Sequence, residues 1–315
     1  MSTAEAAAKT FVPTKDLDVP APSKPKFKDT WWRHIVALVA IAFSLFPVVF
    51  VTSAAFDASN SVSGTSVLPT QFTTDNFKEI LTNTVQDQSA SGNVDSQFLR
   101  WFANSMIIAA AAALLTVILG ALAAYAFSRF RFKGRSIGMM TLLLIQVFPQ
   151  FLAIVAIYLI VHNVGEIFPA LGLNSTFGLI VVYLGGALGI NAWLMKGFFD
   201  TVPTELDESA RVDGATPSQI FWGVVLPLAA PVLAVVGLIS FVFTFNEFVI
   251  ASTLLQTSDH FTLPVGMYGF INQQYGQRWG PFAAGALLAA IPAAVLFMFL
   301  QRWIVSGLTQ GAVKG

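Results

Sequence analysis

The side chains able to do chemistry in this chain are few, and their spacing argues against catalysis. His34, His162 and His260 lie far apart and make no metal-ligand spacing, so no metal site is expected. Cysteine is absent, which removes disulfides and thiolate metal sites and leaves the redox compartment undetermined. Neither a histidine nor a pair of carboxylates falls well inside an apolar stretch, so an embedded enzyme would lack converging catalytic groups. Two sets of polar residues remain. One is the segment Thr201–Pro227, dense in helix-capping residues, whose use would be mechanical: a rigid surface that a partner can push. The other is Gln146, Gln150, Asn246 and Glu247, set among apolar residues, where an amide or carboxylate bonds either a neighbouring helix or a polar solute.

The elements that must carry these residues are membrane spans. Of the 315 residues 55% are hydrophobic and 11% charged, against about 25% charged in a soluble domain. Positive and negative side chains balance at 17 each, so no net field points to nucleic acid. A spanning helix needs about 20 apolar residues. Stretches at about 34–56, 101–127, 137–161, 175–195, 221–246 and 280–300 meet that length. The first is too long, and too far from the start, for a cleaved signal peptide. With both termini inside, cytoplasmic segments hold 14 of the 17 lysines and arginines, and only Lys78, Arg100 and Arg278 fall outside. The turn Arg129–Arg135 is the strongest part of that bias. All seven tryptophans sit near predicted span ends, as an aromatic belt requires. The expected fold is therefore all-α, six transmembrane helices with both termini cytoplasmic.

Outside the spans, residues 1–33 read as a disordered cytoplasmic arm and 301–315 as a cytoplasmic tail, with the six-span body at 34–300. In the first outer loop Asn76–Thr82 is expected to form a short helix and Ser89–Asn93 to be flexible. The last outer loop carries Phe270, Asn272, Gln273, Gln274 and Tyr275, suited to a sugar, a protein or plain solvent.

Thr201–Pro227 is longer than the roughly 2–8 residues a helix connection needs. Thr204 followed by Asp207 resembles a capping box, predicting a helix over Glu205–Val212. Gly214 suits the left-handed residue that closes a helix. Thr216, Pro217 and Gln219 then spell a second start. Pro227 and Pro231 should kink the span that follows. From these residues alone, a partner-driven lever and a partnerless interfacial helix stand about even.

Here the sequence resembles a known family. Glu208-Ser209-Ala210, Asp213-Gly214-Ala215, Phe221, Val224 and Leu226-Pro227 are similar to the EAA signature of binding-protein-dependent ABC importer permeases. Ser209 stands where alanine is usual and Val224 where isoleucine is. Asn104-Ser105, Gly120–Ala126 and the basic turn after them resemble the carbohydrate-uptake branch. The ending Gly307-Leu308-Thr309 with Gly311–Gly315 resembles the second, shorter permease of maltose/maltodextrin transporters. The likeness runs from about residue 30 to the end.

The resemblance implies a type I importer fold in the bacterial inner membrane. It also implies a heterodimer with a second permease, two ATPase subunits and an extracytoplasmic sugar-binding protein. The segment 201–220 would be the coupling loop, with Glu205, Glu208, Ser209, Ala210, Asp213, Gly214, Ala215, Leu226 and Pro227 as its site residues. No G-x-x-x-x-G-K-[ST] run occurs, so ATP and Mg are expected on the partner ATPase and no cofactor on this chain.

The polar groups inside the spans stay open. Gln146 and Gln150 are expected on one face of a single helix bent at Pro149, bonding a neighbour or lining a sugar path. Gly185 and Gly189 form a G-x-x-x-G that permits close helix approach. Glu247 is interfacial if its span ends near 246, and an intramembrane acid if the span continues to Leu255. A secondary transporter would need such a buried ionisable group for ion coupling, and Glu247 is the one candidate.

Overall fold

The computed structural model describes residues 27–59, 69, 71–82, 85–86, 93–94, 97–272 and 278–312. The arm before residue 27, most of Ser89–Asn93, Gln273–Tyr275 and the last three residues lie outside them. The chain divides into two units, Met1–Val48 and Val49–Gly315. The described part of the first is the helix α1 (Phe27–Ala55), whose last residues, from Val49, belong to the second. Within α1, Trp31–Ala55 is long and apolar enough to cross a membrane.

Among its described residues the second unit is mainly helical, with one small antiparallel pair and an isolated bridge between Asp57 and Phe72. After α1 come the short α2 (Asp75–Leu81) and β1 (Val85–Gln86) paired with β2 (Asn93–Val94). The predicted helix at Asn76–Thr82 is thus present, shifted by one residue. Asn76 is buried and its amide donates to the carbonyls of Ala55 and Asp57, each at 3.0 Å. Next is α3 (Phe98–Arg129), the most central helix, which packs on α6 (Thr176–Phe199) and α10 (Ala230–Phe245). Its buried face is built of small residues, among them Ala109, Ala112, Ala121 and Ala124. Small side chains let backbones approach, and in a membrane that contact replaces the hydrophobic drive between helices.

Between α3 and α6 lie α4 (Arg135–Val147) and α5 (Gln150–Ile167). The sequence predicts one helix bent at Pro149. The pair is instead turned by 105°, with Phe148 and Pro149 extended. A residue before proline is pushed out of the helical region, which is why Phe148 leaves it. On the far side of α6 come α7 (Thr204–Val212), α8 (Pro217–Ile220), a π-helical turn at Phe221–Val225, α9 (Leu226–Leu228) and α10. The chain then forms α11 (Val249–Leu254), α12 (Leu263–Tyr268) and the long α13 (Trp279–Ala312).

Among the described residues, four helices pass the length and hydropathy needed to span a membrane: Trp31–Ala55 of α1, α3, α6, and Trp279–Trp303 of α13. The other two predicted spans, 137–161 and 221–246, are bent pairs. In the second of these, Pro217–Leu228 meets α10 at 78°. Pro231 lacks the N–H that the carbonyl of Pro227 would need four residues earlier, so the helix cannot run straight through Ala229.

Candidate functional site

The segment from Thr201 onward folds as two helices about a glycine turn, but its first start differs from the expected one. Helix α7 begins at Thr204 with Pro203 before it, and no side chain caps it. The Thr204–Asp207 box is not made because Asp207 turns inward and is buried at 3% exposure. The C-terminal end is a Schellman closure. Gly214 takes φ +84°, its N–H donates to the Arg211 carbonyl at 3.0 Å, and Ala215 N–H donates to the Ala210 carbonyl at 2.9 Å. The second box forms as predicted. Thr216 Oγ1 accepts from Gln219 N–H at 3.4 Å, and Gln219 Oε1 accepts from Thr216 N–H at 2.8 Å, with Pro217 at the first turn of α8.

The loop has one face in the bundle and one in the open. Ile220, Phe221, Val225 and Ala229 pack with Ala121, Ala124, Tyr125, Met195 and Phe199, with Ala210 and Ala215 against their edge. Glu205, Glu208, Ser209, Asp213 and Gly214 are exposed, Leu226 is half-buried and Pro227 exposed. Val212 is 88% exposed, an uncovered apolar side chain on a polar helix. Ser209, in the usual place of an alanine, bonds its hydroxyl back to the Glu205 carbonyl at 2.8 Å, so the extra oxygen is satisfied within the helix.

Beneath this surface lies a charged junction that local sequence patterns do not reveal. Arg129, the last residue of α3, places Nε 2.9 Å from Asp207 Oδ2, and both side chains are 4% exposed. The Arg129 Nη2 also donates to the Val202 carbonyl at 2.9 Å. Its neighbour Ser128 donates to Asp200 Oδ1 at 2.7 Å, and Lys196 meets the other oxygen of that carboxylate at 2.5 Å. Partial burial raises the Asp200 pKa. The bonds from Lys196 and Ser128 and the charges of Lys196 and Arg135 outweigh it and hold the carboxyl below its ordinary value.

Glu247 sits where α10 stops and α11 starts. Its carboxylate accepts the Tyr183 hydroxyl at 2.6 Å and the N–H groups of Ile250 at 2.8 Å and Ala251 at 3.0 Å. It therefore caps α11 while tying it to α6. The helix ends at Phe245, near the 246 of the first expectation, and a separate helix resumes at Val249. Asn246 is exposed and donates back to the Val242 carbonyl at 2.8 Å. With Phe248 and Tyr268, whose rings lie 5.0 Å apart, it borders a cavity of about 270 Å³.

Gln146 and Gln150 do not share a helix face, because the break at Pro149 puts them on α4 and α5. Gln146 donates to the Gly186 carbonyl of α6 at 2.7 Å, as a packing amide would, and also lines a cavity of about 690 Å³ with Gly185. The side chain of Gln150 lies outside the described residues. Gly189 lets α4 approach, since a Cβ there would lie 2.8 Å from the Leu142 carbonyl oxygen. Gly185 has open space at that position.

Toward the opposite end of α3, Asn104 donates to the carbonyls of Asp259 and Phe261, each at 3.0 Å, and Ser105 accepts from Leu263 N–H at 2.7 Å. These two residues, read from sequence only as part of a likeness, hold the segment that leads into α12. Tyr183 was missed in the sequence. A tyrosine among apolar residues carries a hydroxyl that must find a partner, and that is the signal that would have flagged it.

Residues 116–310 match the family described as the binding-protein-dependent transport system inner membrane component. The galactooligosaccharides transport system permease protein GanQ of Bacillus subtilis is 39% identical over 281 residues, covering 89% of this chain and 94% of that protein. The maltose/maltodextrin transport system permease protein MalG of Escherichia coli K12 is 39% identical over 285 residues, with 90% and 95% covered. In fold, the chain resembles a bacterial ABC transporter involved in the import of the acidic polysaccharide alginate. The TM-score is 0.70 at 21% identity, over 90% of this chain and 99% of that one. By the family match and the identity to relatives along most of its length, this chain belongs to the binding-protein-dependent transport system inner membrane components, the multi-pass permease subunits of ABC importers.

Proposed function

We propose that this chain is one permease of an ATP-driven sugar importer that takes up maltose, maltodextrin or a related oligosaccharide, and that segment 201–220 couples it to the ATPase. The observation that carries the coupling reading is the α7–Gly214–α8 element: rigid at its turn, packed on one face and open on the other. Its exposed Glu205, Glu208, Val212 and Asp213 would meet the ATPase, and the bend before α10 would pass the displacement into the bundle. The sugar class follows the relatives named for maltose/maltodextrin and for galactooligosaccharides.

In this reading both termini are cytoplasmic and six spans cross the membrane, α4–α5 and α8–α10 each counting as one. Residues 1–33 are a cytoplasmic arm, 34–300 the permease body and 301–315 a cytoplasmic tail. A second permease completes a heterodimer, two ATPase subunits bind ATP and Mg, and an extracytoplasmic binding protein delivers the sugar. Asn246, beside the aromatic pair Phe248 and Tyr268, is our assignment for a sugar contact on the path, since amides and ring faces recognise hydroxyls and C–H surfaces.

Reconstitution of the four kinds of subunit in proteoliposomes, with maltotriose and a galactooligosaccharide as probes, tests the reading. Uptake that requires ATP on the ATPase side and the binding protein on the other is the expected result. Uptake that persists without the ATPase on a proton or sodium gradient would sink it.

A further inference from the structure

The buried pair between Arg129 and Asp207 asks for a reason beyond stability. Both side chains are 4% exposed, which removes two charges from water. Such pairs add little net stability over apolar packing of the same volume, although losing one partner is costly. This one is not even fully satisfied. The Arg129 Nε–H is not aligned for a directed hydrogen bond, and Asp207 Oδ1 and the nearby buried Tyr125 hydroxyl have no hydrogen-bond partner among the described residues. What the pair does provide is a fixed register between two elements far apart in sequence. Arg129 ends α3, the central helix of the bundle, and Asp207 lies in the middle of α7.

The surrounding contacts act in the same place. Arg129 also holds the Val202 carbonyl, Ser128 holds Asp200, and Tyr125 lays its ring 5.0 Å from that of Phe221. The last turn of α3 thus grips the segment both before and after α7. By contrast, the chain path from α7 toward α10 is indirect, through the Gly214 turn, the π-helical turn and the 78° bend.

We propose that Arg129 is a positioning residue for energy coupling: its ion pair with Asp207 is a strut that makes α3, rather than α10 alone, move with the coupling helix. This rests on the reading that α7 meets the ATPase. A push on α7 passes through the buried charges into the helix that touches α6, α10 and α12.

Because the chain has no cysteine, spin labels can be attached at chosen positions without background from it. In the assembled complex with cysteine-free partners, labels at Val212 of α7 and Leu114 of α3, which are 88% and 60% exposed, report their separation by pulsed electron resonance. The separation should be the same without nucleotide and with a non-hydrolysable ATP analogue. In Arg129→Gln it should shift between those two states. The combined Arg129→Asp and Asp207→Arg exchange should return it to constancy.

A separation that shifts already in the unaltered chain, or stays constant in Arg129→Gln, overturns the strut. So does an assembled charge exchange that fails to restore constancy. If Arg129→Gln does not assemble, Arg129→Lys carries the test, since a single ammonium replaces the fork that serves both Asp207 and Val202. A partial shift there supports the strut, and none overturns it. A single label at Val212 separates the two ideas. If its mobility does not fall when the ATPase subunits bind, the docking reading fails and takes the strut with it.

Discussion

Two interruptions break the helical path between Phe199 and Leu255, and they are held by different physical means. The first, from Asp200 to Ala229, is shaped by residues whose own backbones demand it: Gly214 at positive φ, Pro217, Pro227, Pro231 and a reciprocal capping box. The second, at Asn246–Phe248, contains neither glycine nor proline. It exists because Glu247 supplies an acceptor for two orphan N–H groups of α11 and for the Tyr183 hydroxyl of α6. A bend made by local chemistry persists whatever surrounds it, whereas one made by a tertiary contact lasts only while its partner stays. The Asp200–Ala229 element therefore suits transmission, and the Glu247 break suits rearrangement.

The sharpest way to break this contrast is to attack the buried ion pair that ties the first region to α3. Asp207→Ala strands a buried guanidinium and should cost about 3–5 kcal/mol, read as a lowered unfolding temperature of the detergent-solubilised complex. Replacing both partners together, Arg129→Met with Asp207→Leu, should recover most of that loss. If the double replacement is as damaging as the single one, the junction is not an ion pair in the energetic sense.

Next come Tyr183→Phe and Glu247→Gln, each removing or weakening a charge-assisted hydrogen bond at about 1.5–3 kcal/mol. Their effects should be strongly non-additive in a double-mutant cycle, because both report the same contact. Additive losses would mean that Glu247 and Tyr183 act separately and that the second break is held locally after all.

Gly214→Ala should cost about 1–2 kcal/mol from the left-handed conformation, with the fold intact and ATPase binding weakened. Thr216→Ala should cost about 1 kcal/mol through the lost cap. Equal sensitivity of uptake to these two changes and to Glu247→Gln would erase the distinction between a rigid and a releasable break.

The smallest effect concerns acid. The Asp200 carboxyl is held below its ordinary value, so its contribution is present above the unfolded pKa and lost as pH falls through the lower folded one. Asp200→Asn should therefore flatten the acid limb of stability against pH, by slightly lowering stability near neutrality and leaving it little changed at acid pH. An unchanged acid limb would show that Lys196 and Ser128 do not favour the charged form.

What the residues alone determined follows from short-range physics. Apolar run lengths, the lysine and arginine bias and the tryptophan positions led to a membrane protein. Glycine conformation and the Thr216–Gln219 box led to the shape of the α7–α8 element. Those signals span a few residues and need no knowledge of neighbours. The same rules misplaced Asp207, because a local cap and a distant arginine compete for one carboxylate and nothing nearby says which wins. They also joined Gln146 and Gln150 on a face that the extended Phe148-Pro149 break removes. Only tertiary structure brought Arg129 to Asp207 and Tyr183 to Glu247, 78 and 64 positions apart. A buried charge is settled by whatever partner the packing delivers, and at those separations packing is decided by the whole bundle.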